Sequence, residues 1–222
     1  MAKMACDDHY VPVMLNCRGR LCLIVGGGKV AERKAVTLLN AGAIVHIVSP
    51  LLRSEKLQCL AKEQTLRWTK RKYQSDDLIG AFMVHAATDD SKLNLQIAED
   101  ADRLGVLVNV ASNGEAGTFI NPTVLRRGRL TLAVSTSGAG PMVAREIRDE
   151  LDNQFGPEYE DYLDFLYRMR SMIREEVESA EARRRLLLKA YRMDMLGEIR
   201  REGYVPWSED KIKQWIANNQ EE

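Results

Sequence analysis

Arg20–Val25 is a short, mostly apolar run that ends in Gly26-Gly27-Gly28, and no other stretch constrains the fold as tightly. Such a run closing on glycines reads as a buried strand entering a tight turn. Beyond the turn, Val30–Ala41 places Val30, Ala35, Leu38 and Leu39 at helical spacing, and Gly42 stands where a helix C-cap would. Ala43–Val48 follows as a second strand, β-branched at Ile44, Val45, Ile47 and Val48 and halted by Ser49-Pro50. Strand, helix and strand within about thirty residues make one βαβ unit, and a helical crossover makes its two strands parallel.

The alternation continues. A helix over Leu52–Glu63 precedes a short strand at Leu66–Lys70, and Phe82–Ala87 is a further buried strand. Thr88-Asp89-Asp90-Ser91 then reads as a turn and cap for a helix over Lys92–Leu104, with Gly105 closing it and Val106–Val110 forming the next strand. Alternation of this kind predicts an α/β fold built on a Rossmann-type doubly wound parallel sheet. After Ser112 the character changes. Thr123–Arg126 and Arg129–Ser135 read as a strand pair turning at Arg127-Gly128, and Pro141–Phe155 reads as a helix. From Glu158 onward Tyr162, Phe165, Leu166, Met169, Ile173 and Val177 recur at three- and four-residue steps, which predicts a helical tail. The expected organisation is a Rossmann-type domain over 1–113, a small α+β segment over 114–150, to which the resemblance given below assigns dimerisation, and a helical C-terminal domain over 151–222.

Composition narrows the partners. Lys plus Arg and Asp plus Glu both number 32, so no global charge attracts nucleic acid, and any anion must be held by a local cluster. The apolar runs are too short to span a bilayer, and Met1–Asp8 has no apolar signal core, which predicts a cytoplasmic chain without membrane or nucleic-acid partners. The four cysteines (Cys6, Cys17, Cys22 and Cys59) form no C-x-x-C pair, so reduced thiols and no metal site are expected. His46 and His85 are expected as packed residues inside strand runs, and His9 lies near a terminus, where loose order is the expectation.

Gly26-Gly27-Gly28-Lys29-Val30-Ala31 fits G-x-G-x-x-A directly after a strand and at the opening of a helix. That is the context in which the pattern cradles a dinucleotide pyrophosphate. Gly26 allows the tight turn, Gly28 lets backbone approach the phosphates, and Ala31 is small enough for close helix–strand packing. The amides of the helix start then meet the phosphates at the positive end of the dipole. The expected cofactor is a nicotinamide dinucleotide. At the ribose end, where an acid usually follows the second strand, stand Ser49, Pro50 and Leu51, and Arg53 comes shortly after. No carboxylate repels a 2′-phosphate there, so these residues leave NAD and NADP both open. Thr88 and Asp89, in the turn after the Phe82–Ala87 strand, complete the expected cofactor set.

Leu23–Lys34, Ala86–Asp90, Val108-Asn109-Val110, Thr118–Pro122, Leu132–Pro141 and Ala144-Arg145 together resemble, in order, the N-terminal module of siroheme synthases, the precorrin-2 dehydrogenase family. The resemblance covers roughly residues 10–155. It implies NAD-dependent oxidation of precorrin-2 to sirohydrochlorin, and a homodimer joined through the middle segment. It also implies cofactor contacts at Lys29, Val30, Pro50 and Leu51. A polycarboxylate tetrapyrrole needs donors and cations, and the hydroxyl-rich turn Ser135–Pro141 running into a helix is suited to supply them. Thr136, Ser137, Gly138 and Arg145 are the substrate-binding candidates, with Arg126, Arg127, Arg129 and Arg148 adding to the field. A plain helix cap with surface arginines is the competing reading.

One departure matters. The family's proposed catalytic aspartate follows an Asn-Val-Val run, whereas Asn109-Val110-Ala111 here is followed by Ser112. A neutral hydroxyl is neither a carboxylate base nor a strong ligand for a hard cation. Ser112, Glu115 and Asn109 are accordingly the catalytic candidates, with Glu115 able to reach the same mouth. Some relatives also insert ferrous iron, and loss of the acid counts more against that step than against dehydrogenation. Three readings follow: a dehydrogenase, a bifunctional dehydrogenase–ferrochelatase, and a non-catalytic NAD-sensing dimeric module.

Overall fold

The computed structural model describes residues 10–220, so His9 and Cys6 lie outside the described residues. The chain divides into two compact units, Met1–Asn121 and Pro122–Glu222.

The first unit is a five-stranded parallel sheet. Its strands are β1 (Leu21–Val25), β2 (Ile44–Val48), β3 (Arg67–Thr69), β4 (Met83–Ala86) and β5 (Leu107–Val110), in the spatial order β3-β2-β1-β4-β5. Successive residues of a strand face opposite sides, and each side buries its own set. Cys22, Ile24, Val45, Ile47 and Met83 pack with Ala31, Ala35 and Leu38 of α1 (Lys29–Asn40) and Leu57 of α2 (Glu55–Lys62). On the other side Leu23, Val25, Val48, Val84, Ala86, Val108 and Val110 pack with Ile97, Ala98 and Ala101 of α3 (Ser91–Leu104). Helices on both faces make the sheet doubly wound. Strand order reverses direction at β1, which leaves a crevice outside the carboxyl ends of β1 and β4.

Local chemistry sets the helix ends. Asp90 accepts hydrogen bonds from the amides of Lys92 and Leu93 and starts α3, and Gly105 ends it in the left-handed region at φ +66°. The helix expected over Leu52–Glu63 begins only at Glu55, because the hydroxyl of Ser54 caps the amide of Leu57. At α1 the cap is Gly28, which has no side chain to offer, so nothing from that residue occupies the first amides.

In the second unit β6 (Thr123–Arg127) pairs antiparallel with β7 (Leu130–Val134). Arg127 remains in the ladder opposite Leu130, so the turn is Gly128-Arg129 and falls one residue beyond the expected Arg127-Gly128. Gly128 is the residue with positive φ in that turn, +50°. The helices are α4 (Pro141–Gln154), α5 (Glu158–Glu176), α6 (Ala180–Tyr191), α7 (Met195–Ile199) and α8 (Glu209–Gln220). Phe165, Met169 and Ile173 of α5 bury against Leu186, Met195, Ile212 and Ile216. Among the described residues no helix is long and apolar enough to cross a membrane, and no group of His, Cys, Asp and Glu could hold a metal ion.

Candidate dinucleotide site

The loop after β1 is held from both sides by backbone. A Cβ on Gly26, where φ is +125°, would lie 2.2 Å from the carbonyl oxygen of Ala87. One on Gly27 would lie 2.1 Å from the carbonyl oxygen of Leu51. Both glycines are therefore required by neighbouring protein. Gly28 is different, since a Cβ there would meet nothing within 4 Å. The protein leaves that space open, directly in front of the α1 amides, and this is the space a pyrophosphate would take.

The flanking loops are tied to this one. The amide of Arg53 donates to the carbonyl of Gly27 at 2.8 Å, which anchors the chain after β2. Ser49 is buried, and its hydroxyl donates to the carbonyl of Leu51 at 2.9 Å, while Trp68 Nε1 donates to the carbonyl of Ser49 at 3.0 Å. Ser49 thus shapes the loop, and Leu51 is exposed beside it. After β4, Thr88 Oγ1 donates to Asn94 Oδ1 at 2.7 Å, and Asn94 Nδ2 reaches the carbonyl of Thr88 at 3.1 Å. The same Nδ2 donates to Ser112 Oγ at 3.4 Å, so one buried amide joins the loops after β4 and β5. Arg53 and Asp89, both exposed, form an ion pair at 3.3 Å.

Gly26–Val30, Ser49–Leu51, Thr88, Asp89 and Ser112 thus stand together at the carboxyl ends of the strands. Asn109 does not offer its side chain to that mouth. It is buried, its Nδ2 donates to the carbonyl of Phe119 at 3.0 Å, and its Oδ1 lies 3.2 Å from His85 Nδ1. Glu115 is exposed, and its amide donates to Asn113 Oδ1 within a short 3₁₀ turn. His46 and His85 are both buried and hydrogen bonded, His46 through Thr69 Oγ1 at 2.9 Å. Burial, helped by the charge of Lys34, pushes His85 down to about 4, against the pull of Asn109. Burial also lowers the half-buried Lys34 to about 8. Asn94 was not singled out from sequence, because one asparagine inside an amphipathic helix carries no signal of its own.

The second unit holds the other candidates. Thr136 Oγ1 donates to the carbonyl of Gly140 at 3.1 Å, and Ser137, Gly138 and Gly140 take positive φ of +44°, +91° and +149°. Three of the expected cations are already paired: Arg127 with Asp152, Arg148 with Asp149, and Arg129 with Asp164 while its guanidinium stacks on Tyr167. Among the described residues, Arg126 and Arg145 are exposed and make no such pair.

The parallel sheet, the open glycine loop and the switch-point crevice define a dinucleotide-binding protein. The chain belongs to the NAD(P)-binding family whose model matches residues 13–123, and residues 127–154 match the model for the central segment of sirohaem biosynthesis proteins. It is 43% identical to a siroheme synthase of Photorhabdus laumondii over 64% of its own length and 30% of that protein. It is 39% identical to a siroheme synthase of Nitrosococcus oceani over 79% of its length and 37% of that protein. The chain thus spans about a third of the length of these curated relatives. A solved structure of SirC, precorrin-2 dehydrogenase, superposes with a TM-score of 0.70 at 28% identity, covering 96% of this chain and all of that one.

Proposed function

We propose that this chain oxidises precorrin-2 to sirohydrochlorin with NAD, on the way to sirohaem. The observation that carries the reading is the crevice, built by packed backbone at Gly26 and Gly27 and left open at Gly28, in a chain alignable with a precorrin-2 dehydrogenase over nearly its whole length. Bound NAD supplies the hydride acceptor. The amides of Lys29 and Val30 would hold the pyrophosphate, and the Ser49–Leu51 and Thr88–Asp89 loops would hold the rest of the dinucleotide. Asn94, Asn109 and His85 keep the loops after β4 and β5 in register, which matters because a misplaced ring loses the entropic advantage of prior orientation. The departing proton leaves to water or to Glu115, since Ser112 is no base at neutral pH. Thr136, Ser137, Gly138 and Arg145 are assigned to the carboxylates of the substrate.

The absence of an acid at Ser112 favours dehydrogenation without efficient iron insertion. Insertion requires two pyrrole protons to be removed and the entering cation to be partly dehydrated, and a hydroxyl serves neither need well. The test is to follow NADH absorbance on addition of precorrin-2 and, separately, sirohaem formation on addition of ferrous iron, in wild type and Ser112→Asp. NADH formation with slow iron insertion is expected, with the substitution raising the second activity more than the first. No NADH from precorrin-2 would overturn the dehydrogenase reading, and fast wild-type insertion would overturn the assignment of Ser112.

The same reading includes a homodimer. Met142, Val143 and Ile147 of α4 and Val124 of β6 are exposed apolar side chains, and β6–β7 is a two-stranded sheet with open edges. Light scattering at micromolar concentration should give the mass of two chains. A cytoplasmic setting also belongs to this reading, where Cys17, Cys22 and Cys59, all unbridged, would stay reduced.

A further inference from the structure

Dinucleotide sites of this kind choose between NAD and NADP at the ribose, just after the second strand. A carboxylate there accepts from the 2′-hydroxyl and repels a 2′-phosphate, while an arginine nearby receives the phosphate. Here β2 runs into Ser49-Pro50-Leu51, with no acid. The serine hydroxyl is spent on the carbonyl of Leu51. Arg53 is the cation of this loop, its backbone pinned to Gly27 and its side chain exposed. Its partner, Asp89, comes from the loop after β4. Because β1 lies between β2 and β4, the ion pair joins the two loops that border the glycine loop on either side. Side-chain exposures of 71% and 80% make it a weakly held pair, easily exchanged for a doubly charged phosphate. The carboxylate of Glu32, in the first turn of α1, accepts the hydroxyl of Ser54 at 2.5 Å and is thereby held at the start of α2.

Building on the proposed dinucleotide site, we infer that this crevice accepts a dinucleotide bearing a 2′-phosphate as well as NAD, with Arg53 receiving that phosphate once it parts from Asp89. Arg53 is then the residue that sets cofactor choice, and Asp89 is a competitor that holds it in reserve. The guanidinium can meet a phosphate with two parallel donors, which a lysine cannot reproduce.

Calorimetric titration of the full chain with NAD+ and with NADP+ tests this directly. Wild type should bind both with dissociation constants within about tenfold of each other, a gap that one charge-assisted hydrogen bond can close. Arg53→Gln should weaken NADP+ about tenfold and NAD+ far less, and Arg53→Lys should restore only part of the loss. Asp89→Asn should tighten NADP+ roughly two- to fivefold by freeing the arginine. Binding of NAD+ without NADP+ would overturn the inference and leave the dinucleotide site standing. Equal losses for both ligands in Arg53→Gln would also overturn it, since Arg53 would then serve the shared pyrophosphate. Binding of neither ligand would overturn the inference and the site together.

Discussion

Gly27 and Gly138 both sit between a strand and the first turn of a helix, in chain segments that look alike as sequence, yet glycine is needed at each for a different reason. At Gly27 the neighbouring backbone occupies the place of a side chain, whereas a Cβ on Gly138 would meet nothing within 4 Å and the backbone itself, at φ +91°, asks for glycine. The first junction is a close-packed seat with one gap left at Gly28. The second is a bend in open surroundings, its neighbours Ser137 and Gly140 also in the left-handed half of backbone space. The difference extends to the interior. Every buried polar or charged side chain among the described residues, from His46 and Ser49 to Asn94, Asp100 and Asn109, belongs to the first unit. A polar interior fixes loops in one arrangement, at the cost of sensitivity to any change in partner or protonation.

The largest effect should come from filling the seat. Gly27→Val forces carbons against the carbonyl of Leu51 and should cost at least about 3 kcal/mol in urea unfolding. A loss under about 1 kcal/mol would mean that the loop yields, and the contrast with Gly138 would vanish. Next comes acid. His85 is held near 4 in the folded chain against 6.5 in its ordinary state, so the unfolded chain binds the extra proton first. Stability is then intact above about 6.5 and falls as pH drops toward 4, by roughly 3 kcal/mol from this residue alone. His85→Gln keeps a donor for Asn109 but does not titrate, so its stability profile between those pH values should be flatter than that of wild type. Parallel profiles would remove His85 as the source. Gly28→Val should leave unfolding almost unchanged while weakening NAD by about 2 kcal/mol, the scale of a lost charge-assisted bond. Unaltered affinity in a folded variant would mean that the gap is not the pyrophosphate seat. The smallest effect belongs to Gly138→Ala, about 1 kcal/mol of backbone strain with no clash. A loss as large as that of Gly27→Val would show that the bend is packed after all.

Most of the first unit was legible before any coordinates. The apolar runs at Leu21–Val25 and Ile44–Val48 are buried on both faces beyond their first residues, so they read as strands without help from alternation, and the glycines between them fixed the connection. The register of the β6–β7 turn was one residue out, because Arg127 is compatible with either a turn or a ladder and only its pairing with Leu130 decides. The geometry of the candidate site was legible where it is made of backbone and illegible where it depends on side chains from distant segments. Asn109 stood out from its position in the chain, yet its amide is consumed by His85 and Phe119. The arginines near the Ser135–Pro141 turn looked available, but Arg127 and Arg129 each have a carboxylate partner from a distant segment that sequence alone could not assign, and Arg148 pairs with its neighbour Asp149. The Arg53–Asp89 pair joins residues 36 apart in sequence and gave no sign of itself.

The bond from Asn94 to Ser112 bears on how easily this chain could change its chemistry. Asn94 presents an N–H to position 112, and that donor is satisfied by any short side chain carrying an oxygen, whether hydroxyl or carboxylate. As partners for that one bond serine and aspartate are equivalent, since each presents an oxygen acceptor to Asn94. What differs is the charge delivered at the mouth. Position 112 behaves as a socket with a fixed donor, to which either a neutral or an anionic side chain can present an oxygen. The route from Ser to Asp requires more than one base change, and Asn or Gly at the midpoint would leave Asn94 either an oxygen acceptor or none at all.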